Sequence, residues 1–168
     1  RMEPTAFDAI REDGPDALRW FHPEDLHLTL AFLGPEVPER IPALQEILAE
    51  IPTATKRITL GPLLLLPSPM RFSALSFSVE QGQEQVAGLI SDWRAPLLAA
   101  AGRPPDTRPP LPHLTIARPV RRHPGFDSKL VSRWAQHLNP PPGPVTVLPP
   151  ALFGWSTERP HRQFQPIS

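Results

Sequence analysis

Apolar and polar positions alternate with two different periods along this chain, and the switches between them mark out its elements. From Pro38 to Ile51 the residues Ile41, Leu44, Ile47, Leu48 and Ile51 recur at three- and four-residue spacing, which predicts an amphipathic helix with Pro42 tolerated in its first turn. Lys56 to Leu66 and Ser73 to Val79 predict strands. In the second of these Leu75, Phe77 and Val79 alternate with Ala74, Ser76 and Ser78, a half-buried pattern, and Pro67-Ser68-Pro69 predicts the hairpin turn between them. Gln83 to Ala101 predicts a second helix, with Val86, Leu89, Ile90, Trp93, Leu97 and Leu98 inward, a kink at Pro96 and a stop at Gly102. Arg103 to Pro112 holds five prolines and no periodicity, so it is expected to be a rigid crossover leading to a strand at His113. A third helix is expected after Asp127 as its cap, with Leu130, Val131, Trp134 and Leu138 inward, and a further strand through Val145 and Val147. This mixture of elements indicates an α+β fold. It lacks the glycine-rich phosphate loops of ATP- or NAD-binding units.

One pattern occurs twice. Leu26 to Gly34 reads LHLTLAFLG and Pro112 to Pro119 reads PHLTIARP, sharing His, Leu, Thr, an aliphatic residue and Ala in register. On a strand, His27, Thr29 and Ala31 would point one way and Leu28, Leu30 and Phe32 the other. His113, Thr115 and Ala117 would likewise oppose Leu114 and Ile116. A single His-x-Thr is explained as well by a histidine that ends a buried strand and bonds a backbone group. With six His in 168 residues, chance supplies roughly 0.3 such triplets, and far fewer pairs that also match at their flanks.

Two such strands facing each other would offer two imidazoles and two hydroxyls to a small anion. Opening a phosphodiester ring requires a proton to be taken from the attacking water and another to be given to the departing sugar oxygen. An imidazole with an unperturbed pKa of about 6.5 can do either near neutrality. The hydroxyls of Thr29 and Thr115 would stabilise charge on the non-bridging oxygens.

Composition narrows the field. At 168 residues and 40% hydrophobic content the chain can bury one sizeable core or two small fused lobes, so residues 1–168 are expected to form one two-lobed domain. Formal net charge is zero, which excludes a global basic field for long nucleic acid and makes any such contact local. Arg outnumbers Lys by 15 to two, and a guanidinium suits bidentate phosphate recognition. Cysteine is absent, excluding disulfides, thiolate nucleophiles and Cys-ligated metals. No apolar run suits a membrane span, and Arg1-Met2-Glu3-Pro4 has no apolar leader; a cytoplasmic monomer making no membrane contact is expected. His22, His123, His137 and His161 lack partners at metal-ligand spacing, so no metal or other cofactor is expected. Phe72, after the central turn, is a candidate for stacking on a terminal base.

The segment Trp20 to Gly34, WFHPEDLHLTLAFLG, resembles the first motif of the 2H phosphoesterases, and Pro112 to Arg118, PHLTIAR, resembles the second. Within that superfamily the likeness is to the RNA 2',3'-cyclic phosphodiesterases also called 2'-5' RNA ligases. The resemblance implies a bilobal fold in which two antiparallel sheets, related by a pseudo-twofold, line a cleft with helices outside. It further implies metal-independent hydrolysis of RNA 2',3'-cyclic phosphate ends to 2'-phosphates. His27 would then be the proton donor, His113 the acceptor, Thr29 and Thr115 the phosphate ligands and Arg118 an added charged contact. Alternatives are a different cyclic phosphate, a 2'-5' linked oligonucleotide, or a non-catalytic RNA-end binding module. Residues 1–14 offer only the apolar patch Phe7 to Ile10, where relatives open with a strand and a helix. Pro110 stands where relatives are often aromatic, and Phe153 to Ser168 follows the pattern loosely.

Overall fold

The computed structural model describes residues 4–35, 38–52, 56–159 and 161–167, so the start inspected for a leader, Arg1 to Glu3, lies outside them. Among the described residues four α-helices, α1 (Pro4–Glu12), α2 (Ile41–Glu50), α3 (Gln83–Ala100) and α4 (Ser128–His137), accompany seven strands. The strands are β1 (Leu18–Trp20), β2 (Lys56–Leu66), β3 (Ala74–Val79), β4 (His113–Pro119), β5 (Pro144–Val147), β6 (Phe153–Trp155) and β7 (Phe164–Pro166). β1 to β5 form one sheet in the order β1-β4-β3-β2-β5, and β6 and β7 form a two-stranded sheet; every pairing is antiparallel. The fold is thus α+β with two antiparallel sheets of unequal size.

Helices cover one face of the large sheet. Phe7 and Ile10 of α1, Val86 and Ile90 of α3 and Val131 of α4 pack on Leu18, Ile58, Leu60, Leu75, Phe77, Val79, Leu114 and Ile116 as one buried cluster. A smaller cluster joins Leu44 of α2 to Leu97 and Ala101 around the end of α3. Alternation along β3 sends Leu75, Phe77 and Val79 into the main cluster and Ala74, Ser76 and Ser78 to the opposite face. That opposite face, which carries Ser76 and Ser78 beside β4, positions the site.

Several expectations hold to within a residue or two. β2 has the predicted limits, and α3 ends at the predicted glycine: Gly102 adopts φ 63°, with Gly102 N–H donating to the Ala99 carbonyl and Arg103 N–H to that of Leu98. These two bonds satisfy the last carbonyls of a helix terminated by a left-handed residue. Asp127 caps α4 by accepting from the Lys129 N–H at 2.8 Å. α3 continues through Pro96, which lies on its exposed side.

Other expectations are corrected. Leu30 and Ala31 both pack against the smaller cluster, so the expected division of these two residues between opposite faces does not hold. Leu130 is exposed, because Val131 and Ala135 form the inward face of α4. The strand expected over Leu26 to Gly34 is reduced to a single bridge, Leu28 to Leu114, because the chain first turns through a short 3-10 helix at Pro23–Asp25. The patch Phe7 to Ile10 belongs to α1, with Phe7 fully buried.

Candidate active site

The bridge between Leu28 and Leu114 sets the geometry of the two His-x-Thr segments. In an antiparallel bridge with that register, His27 stands opposite Thr115 and Thr29 opposite His113, all on the face away from the two leucines. Directly opposed residues have Cβ atoms roughly 4.5–5.5 Å apart and diagonal ones roughly 7–8 Å, so the four side chains can converge on one tetrahedral anion. Leu114 and Ile116 are buried in the core, while His113 and Thr115 are half-buried on the other face. His27 is half-buried and Thr29 exposed.

Both imidazoles are oriented in the same way. His27 Nδ1 lies 2.7 Å from the Asp25 carbonyl oxygen and His113 Nδ1 lies 2.7 Å from that of Leu111, each two residues upstream. A carbonyl only accepts, so Nδ1 of each ring carries the proton and donates, leaving Nε2 for proton transfer. The non-motif histidines His22 and His123 do the reverse, accepting at Nδ1 from the backbone N–H of Glu24 and Gly125. This opposite use of Nδ1 separates turn-forming histidines from the pair on the cleft.

The supporting groups lie deeper. Ser76, fully buried on β3, is the cross-strand partner of Thr115, and their hydroxyls are 3.0 Å apart. The expected half-buried face of that strand is therefore closed at Ser76. Ser78 opposes His113 and donates to the Pro62 carbonyl at 3.1 Å. A Cβ on Gly61 would come within 2.6 Å of the Ser78 hydroxyl, so the irregularity in β2 between Leu60 and Leu63 needs glycine there. On the crossover, Asp106 accepts from the Arg108 backbone N–H and Nε and pairs with Arg94, and Arg94 also donates to the Arg108 carbonyl. This network fixes the segment that delivers the Leu111 carbonyl to His113. The side-chain hydrogen bonds from Arg108 hold the Asp106 carboxyl well below the usual carboxylate range.

Asp25 ties the tail to the first motif. Its carboxylate is 2% exposed and accepts from the backbone N–H of Gln163 at 2.7 Å and of Phe164 at 3.2 Å. Arg162 adds an ion pair to Glu24 at 3.0 Å. The Phe164 ring consequently stands edge-on to His27, with centroids 5.0 Å apart, and stacks on Trp155 at 5.4 Å and 19°. Trp155 is 58% exposed, and Arg159 lies 4.4 Å over its ring. The aromatic surface next to the histidines thus comes from β6 and β7, which sequence reasoning missed. Phe72, the expected stacking residue, is 2% exposed and packs against Phe126 in the core; it is closed to a base and is corrected to a core residue.

Arg118 reaches the cleft face through a break in alternation. Ile116 and Ala117 are both fully buried, and the β3–β4 register shifts between the pairs Leu75 to Ala117 and Ser76 to Thr115, so Ile116 is the extra residue of a bulge. After it, Arg118 returns to the face of His113 and Thr115. Desolvation by burial, then the charge of Arg19 opposite it, pull the Arg118 guanidinium below its ordinary value. Among the described residues there is no cluster of three or more His, Cys, Asp or Glu able to hold a metal ion, and no helix is long and apolar enough to cross a membrane.

Two imidazoles with tied Nδ1 atoms, hydroxyls beside them and an arginine at the strand end form a set of groups able to move protons around a small anion. Residues 6–73 match the family model of the LigT-like phosphoesterases. No curated protein matches the chain. Among solved structures, E. coli LigT with 3'-AMP is 23% identical, with a TM-score of 0.67 over 100% of this chain and 91% of that one. The same protein with NADP+ gives 0.65 at 23% identity and the same coverage. TT0787 of Thermus thermophilus is 20% identical and gives 0.63 over 98% of this chain and 87% of that one. The chain is thus similar to the LigT-like phosphoesterases over residues 6–73 and shares the fold of the solved LigT structures along its length.

Proposed function

We propose that this protein hydrolyses the 2',3'-cyclic phosphate ends of RNA to 2'-phosphates, with His27 and His113 as the proton-transferring pair. The observation that carries the reading is the Leu28 to Leu114 bridge, which sets the two His-x-Thr segments antiparallel on one face while both Nδ1 atoms are held by carbonyls. Likeness to a LigT crystallised with 3'-AMP, a ribonucleotide phosphorylated on its sugar, supports the choice of ligand class.

In the proposed reaction, His113 accepts a proton at Nε2 from the attacking water as its oxygen bonds to phosphorus. The bond from phosphorus to O3' breaks on the opposite side, and His27 gives its Nε2 proton to that oxygen. Thr29 and Thr115 donate to the non-bridging oxygens, where charge gathers in the transition state, and Arg118 further along the strand adds a positive charge nearby. Proton exchange with solvent resets both rings. Each role is filled by this chain's own side chains, so no step calls for a metal. The Trp155 and Phe164 surface lies where the base of the terminal nucleotide can stack.

The test is incubation with nucleoside and oligonucleotide 2',3'-cyclic phosphates in the presence of EDTA, followed by identification of the product isomer. The 2'-phosphate at undiminished rate is expected. A 3'-phosphate product, or loss of turnover on chelation, refutes the reading.

A further inference from the structure

On the sheet face that carries His113 and Thr115, an arginine-lined depression of about 460 Å³ is bordered by Arg19, Ser73, Arg118, Val120 and Arg121. Arg19 and Arg118 are directly opposed on β1 and β4. Like charges facing each other across an antiparallel pair are destabilising. Among the described residues neither guanidinium has an acidic partner, whereas Arg94, Arg108 and Arg162 all do. Arg121 is anchored by an Nη2 donation to the Phe72 carbonyl at 2.6 Å, which leaves other N–H donors of its planar fork for the depression. Among the described residues that border the depression there is no carboxylate, and three planar guanidinium groups suit the paired oxygens of a phosphate.

The placement gives the anion's identity. The bulge at Ile116 sets Arg118 on the face of Thr115 and roughly 10 Å further along the strand. A group bound there while a cyclic phosphate sits at Thr115 lies about one nucleotide away. Zero net charge argues against a long nucleic-acid track, and the depression matches a contact with a single phosphate.

We propose that Arg19 and Arg121, with Arg118 at the boundary, form a second anion subsite that takes the phosphate on the 5' oxygen of the terminal cyclic nucleotide. In an RNA chain this is the internucleotide phosphodiester, so the enzyme favours oligonucleotide ends over free cyclic mononucleotides. The inference rests on the cyclic phosphodiesterase reading above.

Three substrates separate the possibilities: a nucleoside 2',3'-cyclic phosphate, the same compound with a 5'-phosphate, and a dinucleotide ending in a 2',3'-cyclic phosphate. The wild-type protein should show kcat/KM about tenfold higher on the second and third than on the first, as one charge-assisted hydrogen bond supplies. Arg19→Gln, an exposed position on an edge strand, should remove most of that gain and leave the nucleoside substrate within about twofold. Arg19→Gln with Arg121→Gln should abolish it, and the salt dependence of dinucleotide turnover should flatten, its log–log slope falling by about 0.7 for each phosphate no longer neutralised. A gain on the dinucleotide but not on the 5'-phosphorylated nucleoside assigns the preference to the second nucleoside and overturns the subsite. Equal wild-type rates on all three, or an Arg19→Gln variant that loses the three in parallel, overturn it too. A protein that turns over none of the three overturns the underlying reading as well.

Discussion

Replacing Asp25 by Ala tests how the tail is held against the first histidine. The carboxylate accepts two backbone N–H groups from a segment 138 and 139 residues away, and it is almost wholly shielded from water. Truncation strands both donors. An unsatisfied buried donor costs about 1–3 kcal/mol, and since the Phe164 amide is only partly buried the sum comes to about 2–4 kcal/mol. Against a typical stability of about 5–15 kcal/mol this is a large fraction. Asp25→Asn should be little better, because its single amide oxygen can serve one N–H while its NH2 group confronts the other. Urea unfolding should show the midpoint of both variants falling at an unchanged slope, and turnover should fall as Phe164 loses its station beside His27. An Asp25→Ala variant within about 0.5 kcal/mol of wild type would refute this view of the tail as clamped by Asp25.

Trp155→Ala should leave stability nearly intact, since the ring is more than half exposed, and raise KM about tenfold or more, from a base-stacking worth of about 1–3 kcal/mol. Phe72→Ala should do the converse, costing about 3–5 kcal/mol in thermal or urea unfolding by opening a core cavity. Ser76→Ala removes the hydroxyl partner of Thr115 and should cost about 0.5–1.5 kcal/mol in the same unfolding assay; a turnover loss as large as that of Thr115→Val would show Ser76 to have a larger part than positioning. The pH profile of kcat/KM should be bell-shaped, because the proposed reaction requires His27 protonated and His113 neutral; a profile with one limb only would contradict the division of roles.

The candidate site residues were more legible in the chain than the backbone that carries them. His27, Thr29, His113 and Thr115 stand out because repetition of a triplet with matched flanks is a local signal. β2 and α3 were legible for a similar reason, their periodicity lying within one segment and ending at a proline turn or at Gly102. What escaped depends on partners far away in the chain. The first motif reads as a strand through Gly34, yet the 3-10 turn at Pro23–Asp25 and the packing of Leu30 and Ala31 on α2 and α3 leave it a single bridge. β1 is only three residues long, too short to show a period. β6 and β7 are equally short, and Phe164 reaches His27 because a carboxylate at position 25 captures amides near the other end of the chain. Phe72 and Trp155 are both aromatic residues near turns, and only the three-dimensional packing decides which one faces solvent.

Turnover of an RNA 2',3'-cyclic phosphate by His27→Ala and His113→Ala, each confirmed as folded, addresses the central claim most directly. Each substitution should lower kcat by about 10²–10⁴-fold while affinity for the substrate survives, since in the proposed reaction each ring transfers a different proton. Full activity in either variant would contradict the assignment of the two rings as a working pair.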